Sequence, residues 1–134
     1  MIFSDIYLFS DIDGTLGIEN EGIPKRNTSA ISRFVENGGN FSLCTGRMAV
    51  DIKHFTKDVT VNGTCIINNG GAYYDYSTGQ SFGFRILPPE AIEYLRCMLI
   101  NDEFLEVTAI TQAGFFRIKS FENLDLPNDE DLNR

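Results

Sequence analysis

With 134 residues, 43% of them hydrophobic, the chain is long enough for one globular domain with a core of its own. Nineteen acidic side chains against eleven basic ones leave a formal charge of −8, which argues against a nucleic-acid backbone or an anionic membrane surface as the main partner. The opening Met-Ile-Phe-Ser-Asp-Ile lacks the basic start of a signal peptide, and no apolar run reaches the length of a membrane span. Cys44, Cys65 and Cys97 are odd in number and lack metal or redox spacing, so they read as buried free thiols of a reducing cytoplasm.

The first predicted element is an apolar run that ends abruptly in charge. Tyr7 to Leu16 reads Tyr-Leu-Phe-Ser-Asp-Ile-Asp-Gly-Thr-Leu, and Ile6, Leu8 and Phe9 predict a buried strand that delivers Asp11 and Asp13 to its C-terminal end. Alternation along a strand sends both carboxylates one way and turns Ile12 into the core, unless the backbone has begun to bend. Two like charges this close repel, and call for a cation or a shared proton. An ordinary solvated Asp-Gly turn is the plainer alternative.

A carboxylate can divide phosphate ester hydrolysis into two displacements if its charge is masked from an anionic substrate. Magnesium masks it by taking oxygen ligands and bridging carboxylate to phosphate. A second acid two residues on is placed to protonate a leaving alcohol, while Gly14 and Thr15 offer amide donors to phosphoryl oxygens.

Gly17 to Lys25 reads as a loop. Asn27, Thr28 or Ser29 suits a helix cap; Ile31, Phe34 and Val35 then give one apolar face before Gly38 and Gly39 stop the helix. Asn40 to Cys44 is a second strand, so the order strand, helix, strand predicts a right-handed parallel crossover with both C-terminal ends on one edge. Ligands bind at that edge in open α/β sheets, and the second strand ends at Thr45-Gly46-Arg47. A hydroxyl, an amide and a guanidinium there suit phosphate oxygens, with a simple helix cap as the alternative.

Ala49 to Lys57 predicts a short helix with Ile52 and Phe55 inward, and His54, the sole histidine, reads as a surface or internally satisfied residue. Thr64 to Asn68 is a third strand, followed by the polar turn Asn69-Gly70-Gly71-Ala72 at the same edge. Tyr73 to Tyr76 and Gln80 to Ile86 flank Ser77-Thr78-Gly79 as a hairpin. Pro88 and Pro89 suit the start of a helix with the stripe Ala91, Ile92, Leu95, Met98 and Leu99. Leu105 to Thr111 and Phe115 to Phe121 bracket Gln112-Ala113-Gly114 as a second hairpin, in which Phe115 and Phe116 suit core packing. Glu122 to Arg134 reads as a solvated acidic tail.

The full string Asp11-Ile12-Asp13-Gly14-Thr15-Leu16 after a hydrophobic strand resembles the first motif of the haloacid dehalogenase-like (HAD) phosphohydrolases. That resemblance implies that Asp11 is a nucleophile forming an aspartyl phosphate, that Asp13 is the acid and base, and that both hold Mg2+. Thr45 matches the second motif's phosphate-binding hydroxyl, Thr45-Gly46-Arg47 is similar to the Cof-type branch, and Asn69-Gly70 resembles that branch's Asn-Gly element. The implied fold is α/β: part of a HAD-like Rossmannoid parallel sheet over residues 1–86, the start of an α+β cap of C2 type over 87–121, and an acidic tail or linker over 122–134. The implied function is a magnesium-dependent, cytoplasmic phosphatase acting on small phosphorylated metabolites, with no nucleic-acid or membrane partner.

The same resemblance implies later motifs, a lysine and then a Gly-Asp with a further aspartate, and nothing after Phe121 matches them. Lys119 falls within a predicted cap strand, and Asp125, Asp129 and Asp131 have no strand before them. The expectation is therefore an N-terminal portion with weak or absent activity, whose first strand has an uncovered edge open to homodimer pairing. The alternative is a catalytically inactive short HAD-like protein that binds a phosphorylated metabolite or a protein partner. A metal-nucleotide site of glycosyltransferase type would need a nucleotide-binding half that the sequence does not offer.

Overall fold

A computed structural model describes residues 2–18, 22–101, 107–111 and 114–118. The elements run β1 (Tyr7–Ser10), α1 (Lys25–Glu36), β2 (Asn40–Leu43), α2 (Ala49–Phe55), β3 (Thr64–Ile67), a 3-10 turn (Asn68–Gly70), β4 (Ala72–Asp75), β5 (Gln80–Phe82), α3 (Pro89–Asn101), β6 (Val107–Thr111) and β7 (Gly114–Ile118). They divide into two compact units, Met1–Arg85 and Ile86–Arg134. The fold is α/β, with parallel strands and helices as the sequence implied.

In the first unit β1 lies parallel to β2 with Tyr7 opposite Asn40 and Ser10 opposite Leu43. Hydrogen bonds from the Asn40 amide to the Ile6 carbonyl (2.9 Å) and from the Cys44 amide to the Ser10 carbonyl (2.9 Å) continue this pairing at both ends. A parallel bridge between Cys44 and Ile66 then joins β2 to β3, and the Thr45 amide donates to the Ile66 carbonyl at 3.0 Å. The C-terminal ends of β1, β2 and β3 therefore share one edge. From β3 the chain turns back into the antiparallel pairs β3–β4 and β4–β5.

The core lies around β2 and β3. Phe41, Leu43, Cys65 and Ile67 are buried with Ile52 of α2, Ala72 and Tyr74 of β4, Ile31 of α1, and Ile12 and Leu16 of the loop after β1. Asn62 ties the approach to β3 onto the start of β2: its Oδ1 accepts from the Phe41 amide (2.7 Å) and its Nδ2 donates to the Gly39 carbonyl (3.1 Å). At the far end of α2, buried Thr56 donates through Oγ1 to the Ile52 carbonyl (2.7 Å), while the Tyr76 hydroxyl donates to the Thr56 carbonyl (3.3 Å). This fixes the helix end against the β4–β5 hairpin.

Several local expectations are corrected. β1 is not buried: Leu8 is 46% and Phe9 49% exposed, because among the described residues the strand has a neighbour on only one side. α1 begins at Lys25 with Pro24 at its N-cap and no side-chain cap; Asn27 instead donates to the Leu16 carbonyl at 2.9 Å. Pro24 brings a fixed backbone angle to the helix start, and its carbonyl accepts the Asn27 and Thr28 amides (2.8 and 3.3 Å). Phe55 faces outward rather than into the core. β3 stops at Ile67 because Asn68 and Asn69 take left-handed backbone angles, and β5 stops at Phe82, just before Gly83 with a positive φ. Of the three thiols Cys65 is buried, whereas Cys44 and Cys97 are exposed.

In the second unit α3 starts at Pro89 as its two prolines suggest. Ala91 and Leu95 are half-buried, but Ile92 and Met98 on the expected stripe are exposed. β6 and β7 form the second hairpin, with Thr111 opposite Gly114. The turn residues Gln112 and Ala113, the side chains of Leu99, Phe115 and Phe116, Lys119, and the acidic stretch 122–134 lie outside the described residues. Among the described residues no helix is long and apolar enough to cross a membrane.

The burial contrast yields a stability prediction. Ile52→Ala, at a fully buried position, should lower the unfolding free energy by about 2–5 kcal/mol in urea denaturation. Leu8→Ala on exposed β1 should cost less than half as much; equal losses would contradict this placement of the core.

Candidate active site

The loop after β1 is shaped by its own backbone. The Leu16 amide donates to the Asp11 carbonyl (3.3 Å) and the Gly17 amide to the Ile12 carbonyl (2.8 Å), so the chain coils back at once. Ile12 and Leu16 face the core, leaving Asp11, Asp13, Gly14 and Thr15 exposed at the strand end. Gly14, with φ of 71°, supplies the left-handed bend that this reversal needs. Asp11 accepts the Ile12 amide on Oδ1 at 2.7 Å, which orients its carboxylate over the end of β1.

Asp13 points to the second strand's loop. Arg47 donates to it twice, from Nε to Oδ2 and from Nη2 to Oδ1, each at 2.7 Å. This is a planar fork of the kind that also binds two oxygens of a phosphate. The hydrogen bonds from Arg47 hold the Asp13 carboxyl below the usual carboxylate range, assisted by the guanidinium charge and opposed by slight burial. Reciprocally, Arg47 is raised by its bonds to Asp13, with smaller contributions from the charges of Asp51 and Asp11. Since the side chains are 58% and 24% exposed, solvent screens the pair, and it orients more than it stabilises.

The remaining predicted residues meet at the same edge. Thr45 is buried, and its Oγ1 accepts the Arg47 amide at 3.2 Å, so the hydroxyl keeps its own proton for another acceptor. The third strand's turn is stitched on by two backbone bonds, Asn69 amide to Thr45 carbonyl (3.2 Å) and Asn68 amide to Arg47 carbonyl (3.1 Å). Asn69 lies against Gly46 so closely that a β-carbon there would stand 2.9 Å from Asn69 Oδ1, so a larger residue would push the amide group aside. Gly70, at φ of 90°, completes the turn. The buried Oδ1 of Asn68 lacks a hydrogen-bond partner among the described residues.

One contact was not foreseen in the sequence. The Arg47 guanidinium carbon lies 3.5 Å from the centroid of the Phe55 ring. Helical periodicity pointed Phe55 inward, yet the arginine offers it an alternative partner at the helix surface. His54 sits edge-on to the same ring, at 5.4 Å between centroids.

Comparison with known proteins fits this geometry. A family model described as haloacid dehalogenase-like hydrolase matches residues 8–132. The chain is 31% identical over 85 residues to an HMP-PP phosphatase of Yersinia enterocolitica, covering 63% of this chain and 31% of that protein. It is 37% identical over 65 residues to a 5-amino-6-(5-phospho-D-ribitylamino)uracil phosphatase of Bacillus subtilis, covering 48% of this chain and 22% of that one. The chain thus spans about a third or less of these curated relatives.

Solved structures that share the fold include two phosphatases. A HAD subclass IIB sugar phosphatase superposes with a TM-score of 0.69 at 18% identity, over 96% of this chain and 49% of its own. A HAD phosphatase from Bacteroides thetaiotaomicron gives 0.66 at 24% identity, over 84% of this chain and 41% of its own. With the family model matching nearly end to end and the paired aspartates seated at the sheet edge, the chain belongs to the haloacid dehalogenase-like hydrolases.

Proposed function

We propose that this chain carries the phosphate-binding end of a Cof-type HAD phosphatase that acts on small phosphorylated metabolites in the cytoplasm, with Asp11 as nucleophile and Asp13 as acid and base. The observation that supports this most is the meeting of Asp13, Arg47 and Asn69 at the strand ends beside Asp11. The two curated relatives are named for phosphatase activity on phosphorylated metabolites, which is in keeping with that substrate class. In this reading residues 87–121 begin a cap that contributes to substrate choice.

The chemistry runs in two displacements. An Asp11 oxygen bonds to phosphorus, and the alcohol oxygen leaves with its bonding pair and a proton from Asp13. Water then attacks the phosphorus, passes a proton to Asp13, and breaks the bond to Asp11 to release orthophosphate. Thr45 Oγ1, the loop amides of Gly14 and Thr15, and the Arg47 fork are the groups placed to hold phosphoryl oxygens. The hydrogen bonds from Arg47 favour the ionised form of Asp13, and while the pair holds, both carboxylate oxygens are engaged. A phosphate that takes over the fork frees both Asp13 oxygens, so substrate and carboxylate compete for one arginine.

Magnesium, when bound, would mask the charge between carboxylate and phosphate. The described residues contain no group of three or more His, Cys, Asp or Glu side chains able to hold a metal. Among the described residues Asp11 and Asp13 are the carboxylates that follow β1, and Arg47 occupies both oxygens of the second. As arranged they do not make a magnesium site. The Arg47 fork on Asp13 is the observation that speaks for a second reading, a HAD-like chain that binds a phosphorylated metabolite without turnover.

Two outcomes are expected. Inorganic phosphate should raise the melting temperature of the wild type by mass action and leave Arg47→Met unmoved, while p-nitrophenyl phosphate turnover stays near background; no response to phosphate or to fluoroberyllate would contradict both readings. In Arg47→Met the Asp13 carboxyl, followed by NMR, should titrate higher than in the wild type, toward the ordinary carboxylate range. Because the native value is depressed, the ion pair is intact at neutral pH and is lost as pH falls through that lowered value; an unchanged titration would show that Arg47 does not hold Asp13 in solution.

A further inference from the structure

We infer that Phe55 is a positioning residue of the candidate site, a flat support that keeps the Arg47 guanidinium facing the edge where Asp11 and Asp13 stand. The inference deepens the phosphate-binding reading and rests on it for its consequence, although the contact itself does not. Arg47 is held in three ways. Its backbone is pinned by its own amide donating to Thr45 Oγ1 and by the Asn68 amide donating to its carbonyl. Its guanidinium edge is forked by Asp13, and its face rests on Phe55.

These restraints respond differently to an arriving anion. A phosphate that takes the Nε and Nη2 donors engaged by Asp13 displaces the carboxylate from them. The ring contact uses the guanidinium face, which no oxygen acceptor contests. Phe55 alone can therefore keep the fork aimed while its edge changes partner, and this lowers the ordering cost that a long side chain otherwise brings to binding.

The support is itself well fixed. Phe55 closes α2, whose Ile52 is fully buried, and the next residue, Thr56, is buried and bonded to Ile52 and Tyr76. His54 meets the Phe55 ring edge-on. Phe55 is nevertheless 41% exposed, an arrangement that core packing does not explain and the guanidinium does.

The test compares wild type, Phe55→Leu and Phe55→Tyr, using the Arg47 Nε proton in NMR and the affinity for inorganic phosphate in calorimetry. In Phe55→Leu the proton should lose its ring-current shift and exchange faster with water, phosphate should bind about two- to fivefold more weakly, and the melting temperature should hold. Phe55→Tyr, which keeps the ring, should restore both readouts. An Arg47 proton with unchanged shift and exchange in Phe55→Leu overturns the inference, as does a phosphate affinity that survives the loss of the ring. If the wild type binds no phosphate, the functional reading fails, and the Arg47 proton alone decides whether Phe55 positions the arginine.

Discussion

The two hydrogen bonds from Arg47 to Asp13 join the loop after β1 to the loop after β2 across 34 residues of sequence. Each loop is built by its own strand, but only the parallel alignment of β1, β2 and β3 brings them to one edge. The fork depends on that alignment, and so does every chemical role assigned here. An arginine that holds a carboxylate by two parallel bonds already has the geometry for two phosphate oxygens. Asp13 thus occupies, within the protein, the donors that a substrate would use.

The packing explains why this edge is firm where it matters. β2 is buried along Phe41, Ser42 and Leu43, and β3 contributes Cys65 and Ile67 to the same core. Thr45, Arg47 and Asn69 lie immediately beyond these strands, tied together by backbone bonds between the two loops. β1 differs: it brings Asp11 and Asp13 from the least covered part of the unit, with Tyr7, Leu8 and Phe9 all substantially exposed. Its carboxylates are placed through the buried Ile12 and Leu16 and through Arg47 rather than through burial of the strand itself.

Much of this was legible in the residues. The apolar run into Asp11-Ile12-Asp13-Gly14, the stop at Thr45-Gly46-Arg47 and the polar turn at Asn69-Gly70 are local patterns, and local patterns report strand ends reliably. Helix starts are less legible: Asn27, Thr28 and Ser29 each suit a cap, yet Pro24 takes that position and Asn27 donates to the Leu16 carbonyl instead. The exposure of β1 could not be read from its hydrophobicity, because burial depends on neighbours and not on the strand. The pairing of Asp13 with Arg47 is hidden for a related reason: Asp13 reads as an acid, base and metal ligand and Arg47 as a phosphate ligand, and nothing in either motif says that they satisfy one another first. Phe55 followed helical spacing into a predicted core, whereas a cation eight residues earlier gave it a better partner at the surface.

The most direct measurement is a crystal structure of the chain with orthophosphate. The anion should lie between Asp11 and Thr45, with Arg47 turned from Asp13 to two phosphate oxygens while still resting on Phe55. Phosphate bound elsewhere, or Arg47 still forked on Asp13 with the strand ends empty at saturating phosphate, would contradict the account.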